Sequence, residues 1–342
     1  MLPNCWILET SCINVVPKIP HAECEFSKGP FSVFRSVLAH NLDRSSIFSQ
    51  QDFNRTLVND RFRFFTVTPL QHAQFRALVG SANWCITLGR FDIAFATQSL
   101  ARFNMAPRVG HLKRMMRVFG CLKAHPNGAV IVDPGLPDHD KFKSPQGMDW
   151  TEFYPNAKPE EWIGMPVELG KAVRITCYVD ADHAHDHLTH RSVTGIILFI
   201  NNTPIRWISK RQRTVETSTY GSELVAARMA VDLIIEMTHS LRSLGVPVDG
   251  PALLLGDNQS VVLNTTVPSS VLKKKHNAVA FHRIREAIAA GICRFVHIPS
   301  SENYADLLTK SLGKKDFNFL SREMLFRVPA ATCPPDRARP LI

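Results

Sequence analysis

The chain has 342 residues, of which 45% are hydrophobic, so it is long enough and apolar enough to form two packed domains. Its 40 Lys and Arg outnumber its 30 Asp and Glu, and the resulting formal charge of +10 favours a polyanionic partner such as nucleic acid. No apolar run approaches the ~18 residues that span a bilayer, which argues against a membrane protein.

The amino terminus and the cysteines give no sign of secretion. No basic segment precedes the first apolar residues, so we expect no signal peptide and an intracellular protein, cytoplasmic or nuclear. The eight cysteines are scattered and include no C-x-x-C pair, which argues against both a zinc ribbon and a disulfide framework.

The first part of the chain predicts a leader followed by helices. Residues 1–66 show no clear hydrophobic periodicity, so we assign them no fold and expect them to be poorly ordered. In residues 67–133, apolar side chains recur at helical spacing and predict three helices, which are interrupted at Gly89 and at Pro107.

A second domain follows a proline- and acid-rich linker at residues 134–170. This domain, residues 171–325, opens with the apolar runs "VRITCYVD", "VTGIILFI" and "TPIRWIS", continues with alternating helices and strands, and precedes a tail at residues 326–342. The second and third runs are joined by "NN", a hairpin-like turn, whereas the later strands are linked by helices. We therefore predict an α/β fold: a mixed five-stranded sheet with helices on both faces, preceded by a small helical segment.

Two of the predicted strands end on an aspartate. "ITCYVD" stops at Asp180 and "ALLLGD" stops at Asp257, and a long helical pattern lies between them. If this helix makes a right-handed crossover, the two strands are parallel neighbours. Their carboxyl ends then bring the two aspartates side by side, at the edge where open sheets carry their active sites.

A third acid, Glu223, lies in the first turns of that long helix, after the predicted cap in "TSTYGSE". Steps of three and four residues from Glu223 reach an apolar face: Ala227, Ala230, Ile234 and Leu241. Glu223 should therefore point at the sheet, which costs several kcal/mol unless the carboxylate is paired, protonated or bound to metal. Alternatively, this acid only complements the helix dipole.

The fourth candidate, Asp306 in "SSENYADLLTK", lies early in the last predicted helix. Taken alone, it could form a solvated pair with Lys310, four residues later. However, four carboxylates that converge from two strand ends and two helix starts cannot all ionise unless cations sit among them. Hard oxygen ligands select Mg²⁺ or Mn²⁺, and two such ions about 4 Å apart suit the hydrolysis of a nucleic-acid strand.

Several segments together carry a family resemblance. The segments are "YVDADHAHD", "HRSVTGIILFI", "ISKRQRTVETSTYGSELVAAR", "GDNQSVV", "KKKHNAVAFHRIREAI" and "HIPSSENYADLLTK". Through them, residues 171–320 resemble the ribonuclease H domain of copia-type retrotransposon polyproteins. The preceding "FRALVGSANWCITLGRFDIAFATQSLARF" and "GHLKRMMRVFGCLKAHPNG" are similar to the helical segment that follows the reverse transcriptase palm in those polyproteins.

The resemblance implies a function for the four acids. Asp180, Glu223, Asp257 and Asp306 would be catalytic and would bind two Mg²⁺ ions, with Mn²⁺ as a possible substitute. The implied substrate is the RNA strand of an RNA–DNA hybrid, recognised by its 2′-hydroxyls and duplex shape. The chain would then be a truncated copy that covers the carboxyl-terminal part of such a polyprotein.

The sequence departs from the family pattern in two places. Many ribonucleases H carry a histidine in the loop before the last acid, whereas the loop "PSSEN" offers only Glu302. The polymerase signature of the family, a tyrosine, any residue and two adjacent aspartates, is missing because Ala181 separates Asp180 from Asp182. We therefore expect no polymerase activity.

A basic segment predicts contact with the nucleic-acid backbone. The residues predicted to bind phosphates are Lys273, Lys274, Lys275, His276 and Arg283. A solvated basic helix would look the same, but residues 171–323 carry more Lys and Arg than Asp and Glu even with the four acids included, which favours phosphate contact.

Other interpretations stay open. The alternating histidines of "DHAHDHLTH" could bind a transition metal, although a polar hairpin between two strands needs no such purpose. The chain could be a catalytically inactive nucleic-acid-binding remnant of a polyprotein. It could also be an integrase or a related nuclease on the same sheet plan, although those enzymes typically assemble three acids.

Overall fold

The structure is a computed structural model. It describes residues 6–7, 65–126, 128–142, 148–158 and 164–326. Most of the predicted leader, residues 1–66, and nearly all of the predicted tail lie outside the described residues.

The chain divides into two compact units. Residues 1–6 and 132–310 form the first, which we call the sheet unit, and residues 7–131 and 311–342 form the second, which we call the helical unit. The domain boundaries given above from the sequence remain predictions.

Three helices of the helical unit fall where the apolar periodicity predicts them. After the two-residue strand β1 (Trp6–Ile7) come the helices α1 (Pro69–Thr87), α2 (Ala94–Ala101) and α3 (Val109–Ala124). The breaks occur at the predicted positions because Gly89 adopts a positive φ of 109°, which glycine tolerates, and because Pro107 precedes the start of α3.

The three helices enclose an apolar core of their own. The largest side chains that they bury completely are Phe75, Leu78, Leu100, Met115 and Phe119. A capping box at the start of α1, in which the side chains of Thr68 and Gln71 bond each other's backbone N–H groups, fixes the first turn.

The remaining elements follow in chain order. They are β2 (Ala129–Val132), β3 (Ile175–Asp182), β4 (Val193–Ile200), β5 (Thr203–Arg211), α4 (Thr219–Ser243), β6 (Ala252–Gly256), α5 (Gln259–Thr266), α6 (Ala278–Ala289), β7 (Cys293–His297), α7 (Asp306–Thr309), α8 (Lys314–Ser321) and β8 (Leu325–Phe326). A small sheet has the strand order β1-β2-β8, in which β2 and β8 are antiparallel.

The main sheet has five strands in the order β5-β4-β3-β6-β7. Strands β3, β4 and β5 are antiparallel neighbours, whereas β6 runs parallel to both β3 and β7. The hairpin between β4 and β5 turns at Asn201, whose φ of 56° is one that asparagine tolerates better than most residues. This confirms the predicted mixed five-stranded α/β sheet.

Helices cover both faces of this sheet. On one face, α4, α5 and α6 bury the side chains of Cys177, Val179 and Leu254 against Leu224 and Ile234. On the other face, the short helix α7 packs on β3, β4 and β5. Truncation of the fully buried Ile234 to alanine would cost about 2–5 kcal/mol, which shows how firmly α4 is held.

Three local expectations were wrong. The apolar pattern of the sequence predicts helices through residues 271–290, but residues 271–274 are not helical, because α5 ends at Thr266 just before Pro268 and α6 begins only at Ala278. The last predicted helix is a 3₁₀ turn followed by α7, since the Asn303 side chain between them bonds the carbonyl of Val179 and the N–H of Ala305. Strand β3 continues two residues beyond Asp180.

No helix in the described part of the chain is both long enough and apolar enough to cross a bilayer.

Candidate metal centre

Asp180 and Asp257 lie side by side because of the sheet register. Val179 of β3 pairs with Gly256 of β6 in parallel, so the next residue of each chain segment is an aspartate at the same edge. Strand β3 does not end at Asp180, because β4 continues to pair with it as far as Asp182. Asp180 is 1% exposed.

Glu223 completes a triad of acids. Helix α4 begins after Ser218, whose hydroxyl accepts a hydrogen bond from the N–H of Gly221, and this start places Glu223 at the same edge of the sheet. One carboxylate oxygen from each of Asp180, Glu223 and Asp257 lies within 4.8 Å of the other two. The expected convergence of these three acids is therefore observed.

Asp306, the fourth predicted acid, joins the triad through a lysine. The Nζ atom of Lys310 lies 2.9 Å from Oδ1 of Asp306, 3.2 Å from Oδ1 of Asp180 and 3.9 Å from Oδ2 of Asp257. We call Asp180, Glu223, Asp257 and Asp306 the carboxylate cluster. The pair between Asp306 and Lys310 therefore forms, but at the cluster and not on a solvated helix surface.

Close packing brings α7 to the cluster. Gly195 of β4 lies opposite Asp180, and a Cβ atom at this position would come within 2.7 Å of the carbonyl oxygen of Ala305 and 2.6 Å of Thr309. Only glycine allows this approach, because the backbone oxygen cannot rotate away. The contact lets the Thr309 hydroxyl donate a hydrogen bond to Oδ2 of Asp180.

Asp257 is held by the loop after β7. The Ser300 hydroxyl donates a hydrogen bond to Oδ2 of Asp257, and Nε2 of His297 lies 3.1 Å from the Asp257 carbonyl oxygen. His297 thus touches the backbone of Asp257 and not its carboxylate. His297 therefore does not take the place of the histidine that many ribonucleases H carry in the loop before the last acid.

Burial and mutual repulsion raise the pKa of three acids. Burial is the larger cause for Glu223, whose pKa lies well above its usual value, and the charges of Asp180 and Asp257 raise it further. Burial also raises the pKa of Asp180, against the opposing effect of Lys310. The pKa of Asp306 rises to about 7, first through burial and then through Asp180.

The pKa of Lys310 is raised as well, but for a different reason. Burial opposes its charge, but the neighbouring carboxylates of Asp180, Asp306 and Asp257 outweigh that effect and raise its pKa above the usual value. One ammonium group therefore stabilises an acidic cluster whose charges it cannot balance alone.

The donor set of the cluster fits a hard divalent cation. Its side chains offer only carboxylate oxygens, which are the ligands that Mg²⁺ and Mn²⁺ prefer. Burial and the neighbouring negative charges raise the pKa of Glu223 and of Asp306. A cation bound there would favour the ionised acids and would therefore lower both pKa values.

The predicted nucleic-acid-binding residues divide into two groups. Lys273, Lys275 and His276 are exposed, and Nζ of Lys274 donates to the Ser218 hydroxyl at 2.7 Å, so this segment lies at the start of α4. Arg283 instead pairs with Asp232 at 3.3 Å, more than two turns of α4 beyond Glu223. The role of all five residues remains a prediction.

The histidines after β3 do not assemble a site. His185 pairs with Asp182 at 2.8 Å, and Asp186 accepts from Arg211 and from the Thr189 hydroxyl. In the described ranges of the chain, the triad is the only group of His, Cys, Asp or Glu side chains with the mutual spacing of metal ligands. The proposed transition-metal site is therefore not supported.

Lys310, Thr309 and Ser300 touch the acids but are absent from the predicted site. The spacing of four between Asp306 and Lys310 was a usable signal, but it predicts a helix-surface pair. No sequence signal identifies Ser300 or Thr309, because their contacts with Asp257 and Asp180 join segments far apart in the chain.

No family model matches the chain. It is 26% identical over 257 residues to the retrovirus-related Pol polyprotein from transposon RE1 of Arabidopsis thaliana, an alignment covering 75% of this chain and 15% of that polyprotein. The corresponding polyprotein from transposon TNT 1-94 of Nicotiana tabacum is 30% identical over 148 residues, covering 43% of this chain and 11% of the polyprotein.

The chain is homologous to the Pol polyproteins of transposons. This confirms the resemblance to retrotransposon polyproteins that the motifs indicate. Because the chain spans only 15% of the length of the RE1 polyprotein, it corresponds to a part of such a protein. Among solved structures, ribonuclease H1 from Halobacterium salinarum aligns with a TM-score of 0.32 at 17% identity, over 40% of this chain and 94% of that chain.

Proposed function

We propose that this chain is a metal-dependent endonuclease that hydrolyses the RNA strand of RNA–DNA hybrids, as the ribonuclease H part of a copia-type retrotransposon polyprotein. The observation that carries the proposal is the convergence of Asp180, Glu223 and Asp257 to within 4.8 Å at one edge of the sheet. The homology to Pol polyproteins supports it, since the alignment with the RE1 polyprotein covers 75% of this chain.

The four acids of the carboxylate cluster would hold two Mg²⁺ ions. When bound, such ions activate a water molecule and stabilise the leaving oxygen in displacement at a phosphodiester. Thr309 and Ser300 restrain one oxygen each of Asp180 and Asp257, so these carboxylates present their remaining lone pairs in fixed directions. Asp306, which contacts Lys310 beside the triad, would supply a further carboxylate to the site.

The basic segment at residues 273–276 would hold the backbone of the hybrid. Lys274 bonds Ser218 at the start of the helix that carries Glu223, so phosphates bound here would lie along the approach to the acids. If Lys273 and Lys275 each contact one phosphate, their replacement by glutamine lowers the slope of log K against log salt by roughly 1 per residue. Filter binding at several salt concentrations measures this slope.

The test of the proposed function is cleavage of a labelled hybrid. The whole chain is incubated with Mg²⁺ and a hybrid labelled on the RNA strand, beside the variants Asp180→Asn and Asp249→Asn. Because Asp180→Asn removes a charge from the centre of the cluster, it should reduce cleavage on the order of a thousandfold. Asp249→Asn, at an exposed residue that pairs with Arg174, should leave cleavage unchanged.

The outcomes separate the proposal from its alternatives. Cleavage that survives Asp180→Asn would show that the site is elsewhere. Tight binding of the hybrid without cleavage by any variant would instead identify a catalytically inactive remnant. Primer extension on the same hybrid with deoxynucleotides should give no product, because the polymerase signature is missing from the sequence.

A further inference from the structure

Lys310 places an ammonium group at the carboxylate cluster, and the proposed hydrolysis assigns this group no role. Its ammonium group lies within 4 Å of three different carboxylates: those of Asp180, Asp257 and Asp306. The distances of 2.9 and 3.2 Å to Asp306 and Asp180 are those of hydrogen bonds between an ammonium group and a carboxylate oxygen. A lysine in a solvated ion pair would need only Asp306 as its partner, whereas Lys310 contacts two further acids.

The backbone directs Lys310 into the cluster. Helix α7 ends at Thr309, and Lys310 adopts an extended conformation with φ −119° and ψ 152°. The side chain is therefore not placed as it would be one helical turn after Asp306. Thr309, the preceding residue, bonds Asp180 as well, so two consecutive side chains converge on the same carboxylate.

An ammonium group and a divalent cation would compete for the same two carboxylates. Asp180 and Asp257, which Lys310 contacts, also belong to the triad whose oxygens have the spacing of metal ligands. A lysine ammonium group and a divalent cation held at the same carboxylates repel each other. One of them must move, and Lys310 can, because 36% of its side chain is exposed and its stem is flexible.

We propose that Lys310 is a built-in competitor of the divalent cation, whose ammonium group must leave Asp180 and Asp257 before the carboxylates bind the ion. Lys310 thereby sets the cation concentration at which the site fills, and it keeps the acids in place when that concentration is low. Once displaced, the ammonium group lies beside the site, where it can pair with the phosphate of a bound strand. This proposal rests on the proposed function only in assuming that the cluster binds a divalent cation.

The test measures binding of Mn²⁺ alone to the whole chain, by the electron paramagnetic resonance signal of the free ion. Four proteins are compared: wild type, Lys310→Met, Lys310→Arg and Lys171→Met. Lys310→Met should bind Mn²⁺ roughly tenfold or more tightly, because the competing charge is gone. Lys310→Arg should stay within about threefold of wild type, and Lys171→Met, at an exposed residue before β3, should bind like wild type.

A merely structural role for Lys310 predicts the opposite result. If the lysine only holds the acids together, Lys310→Met binds Mn²⁺ more weakly or not at all, and the proposal is overturned. Unchanged affinity overturns it as well. If no protein binds Mn²⁺, the proposed function fails together with it, whereas binding by wild type with no gain in Lys310→Met removes this inference alone.

A second measurement on wild type covers the case in which Lys310→Met does not fold. The side-chain resonance of Lys310 in lysine-labelled protein, assigned by its loss in Lys310→Arg, should shift as Mg²⁺ is added. Its midpoint should match that of cation binding. A Lys310 resonance that does not change while the cation binds would overturn the proposal.

Discussion

The Arg90–Asp92 pair in the helical unit and the carboxylate cluster in the sheet unit both bury charge, but they balance it differently. Arg90 donates from Nε and Nη2 to the two oxygens of Asp92 at 3.0 and 2.9 Å, and from Nη1 to the carbonyl of His125 at 2.8 Å. One guanidinium thus meets both oxygens of one carboxylate. In the cluster, by contrast, Lys310 alone faces three of the four acids.

This difference indicates which group of charges serves the fold and which serves chemistry. A buried pair with matched charges and bidentate geometry satisfies itself, and only the loss of one partner is costly. An excess of buried carboxylates opposes folding and is retained where it binds something positive. Removal of the Arg90 charge should therefore destabilise the helical unit, whereas removal of one acid from the carboxylate cluster should stabilise the sheet unit.

The largest expected effect on stability is at the balanced pair. Arg90→Met leaves Asp92, whose side chain is 0% exposed, without its guanidinium, so the helical unit should lose about 3–5 kcal/mol. Hydrogen exchange of α1 and α3 measures the loss. The double variant Arg90→Met, Asp92→Leu should recover most of it, and failure to recover would mean that Arg90 acts through other contacts.

A smaller effect of opposite sign is expected in the cluster. Glu223→Gln removes a charge whose burial and acidic neighbours raise its pKa, so at pH 8 the sheet unit should gain about 1–3 kcal/mol in urea unfolding. Hybrid cleavage should nevertheless fall sharply. The matched control is Glu236→Gln, at an exposed acid that pairs with Arg206, which should change neither property. Destabilisation by Glu223→Gln would contradict the statement that the excess of buried carboxylates opposes folding.

The pH dependence of stability should be similar in size to the effect of Glu223→Gln. Asp306 has a folded pKa of about 7, above its usual value of 3.8, so the folded state binds the proton more tightly. The stability that this proton contributes is fully present below pH 4 and is lost as the pH rises through 7, with about 2–3 kcal/mol lost between pH 5 and pH 8. Urea midpoints at pH 5 and pH 8 measure the loss, which should disappear in Asp306→Asn.

Much of the sheet and of the triad follows from the sequence by simple rules. A helix between two apolar strands predicts a parallel crossover, and this alone places Asp180 beside Asp257. Glu223 follows from helical periodicity, because Ala227 and Ile234 on its face are buried.

The remaining features depend on contacts that spacing does not encode. Lys310 reaches three acids only because the backbone leaves the helix at Thr309, and this ending depends on the packing of α7 against Gly195. The Arg90–Asp92 pair forms at the start of a 3₁₀ turn with a spacing of two, for which no helical or strand rule predicts contact. Ser300 meets Asp257 across a loop whose path is set by the sheet.

Four acids distant in sequence are proposed to share one cation site, and iron-mediated cleavage of the chain is a direct test of this arrangement. Fe²⁺ with ascorbate and peroxide cuts backbone near a bound ion, and mass spectrometry locates the cuts. The account predicts cuts beside Asp180, Glu223, Asp257 and Asp306 together, all suppressed by excess Mg²⁺ and by Asp257→Asn. Cuts confined to other segments, or cuts at only one of these acids, would contradict it.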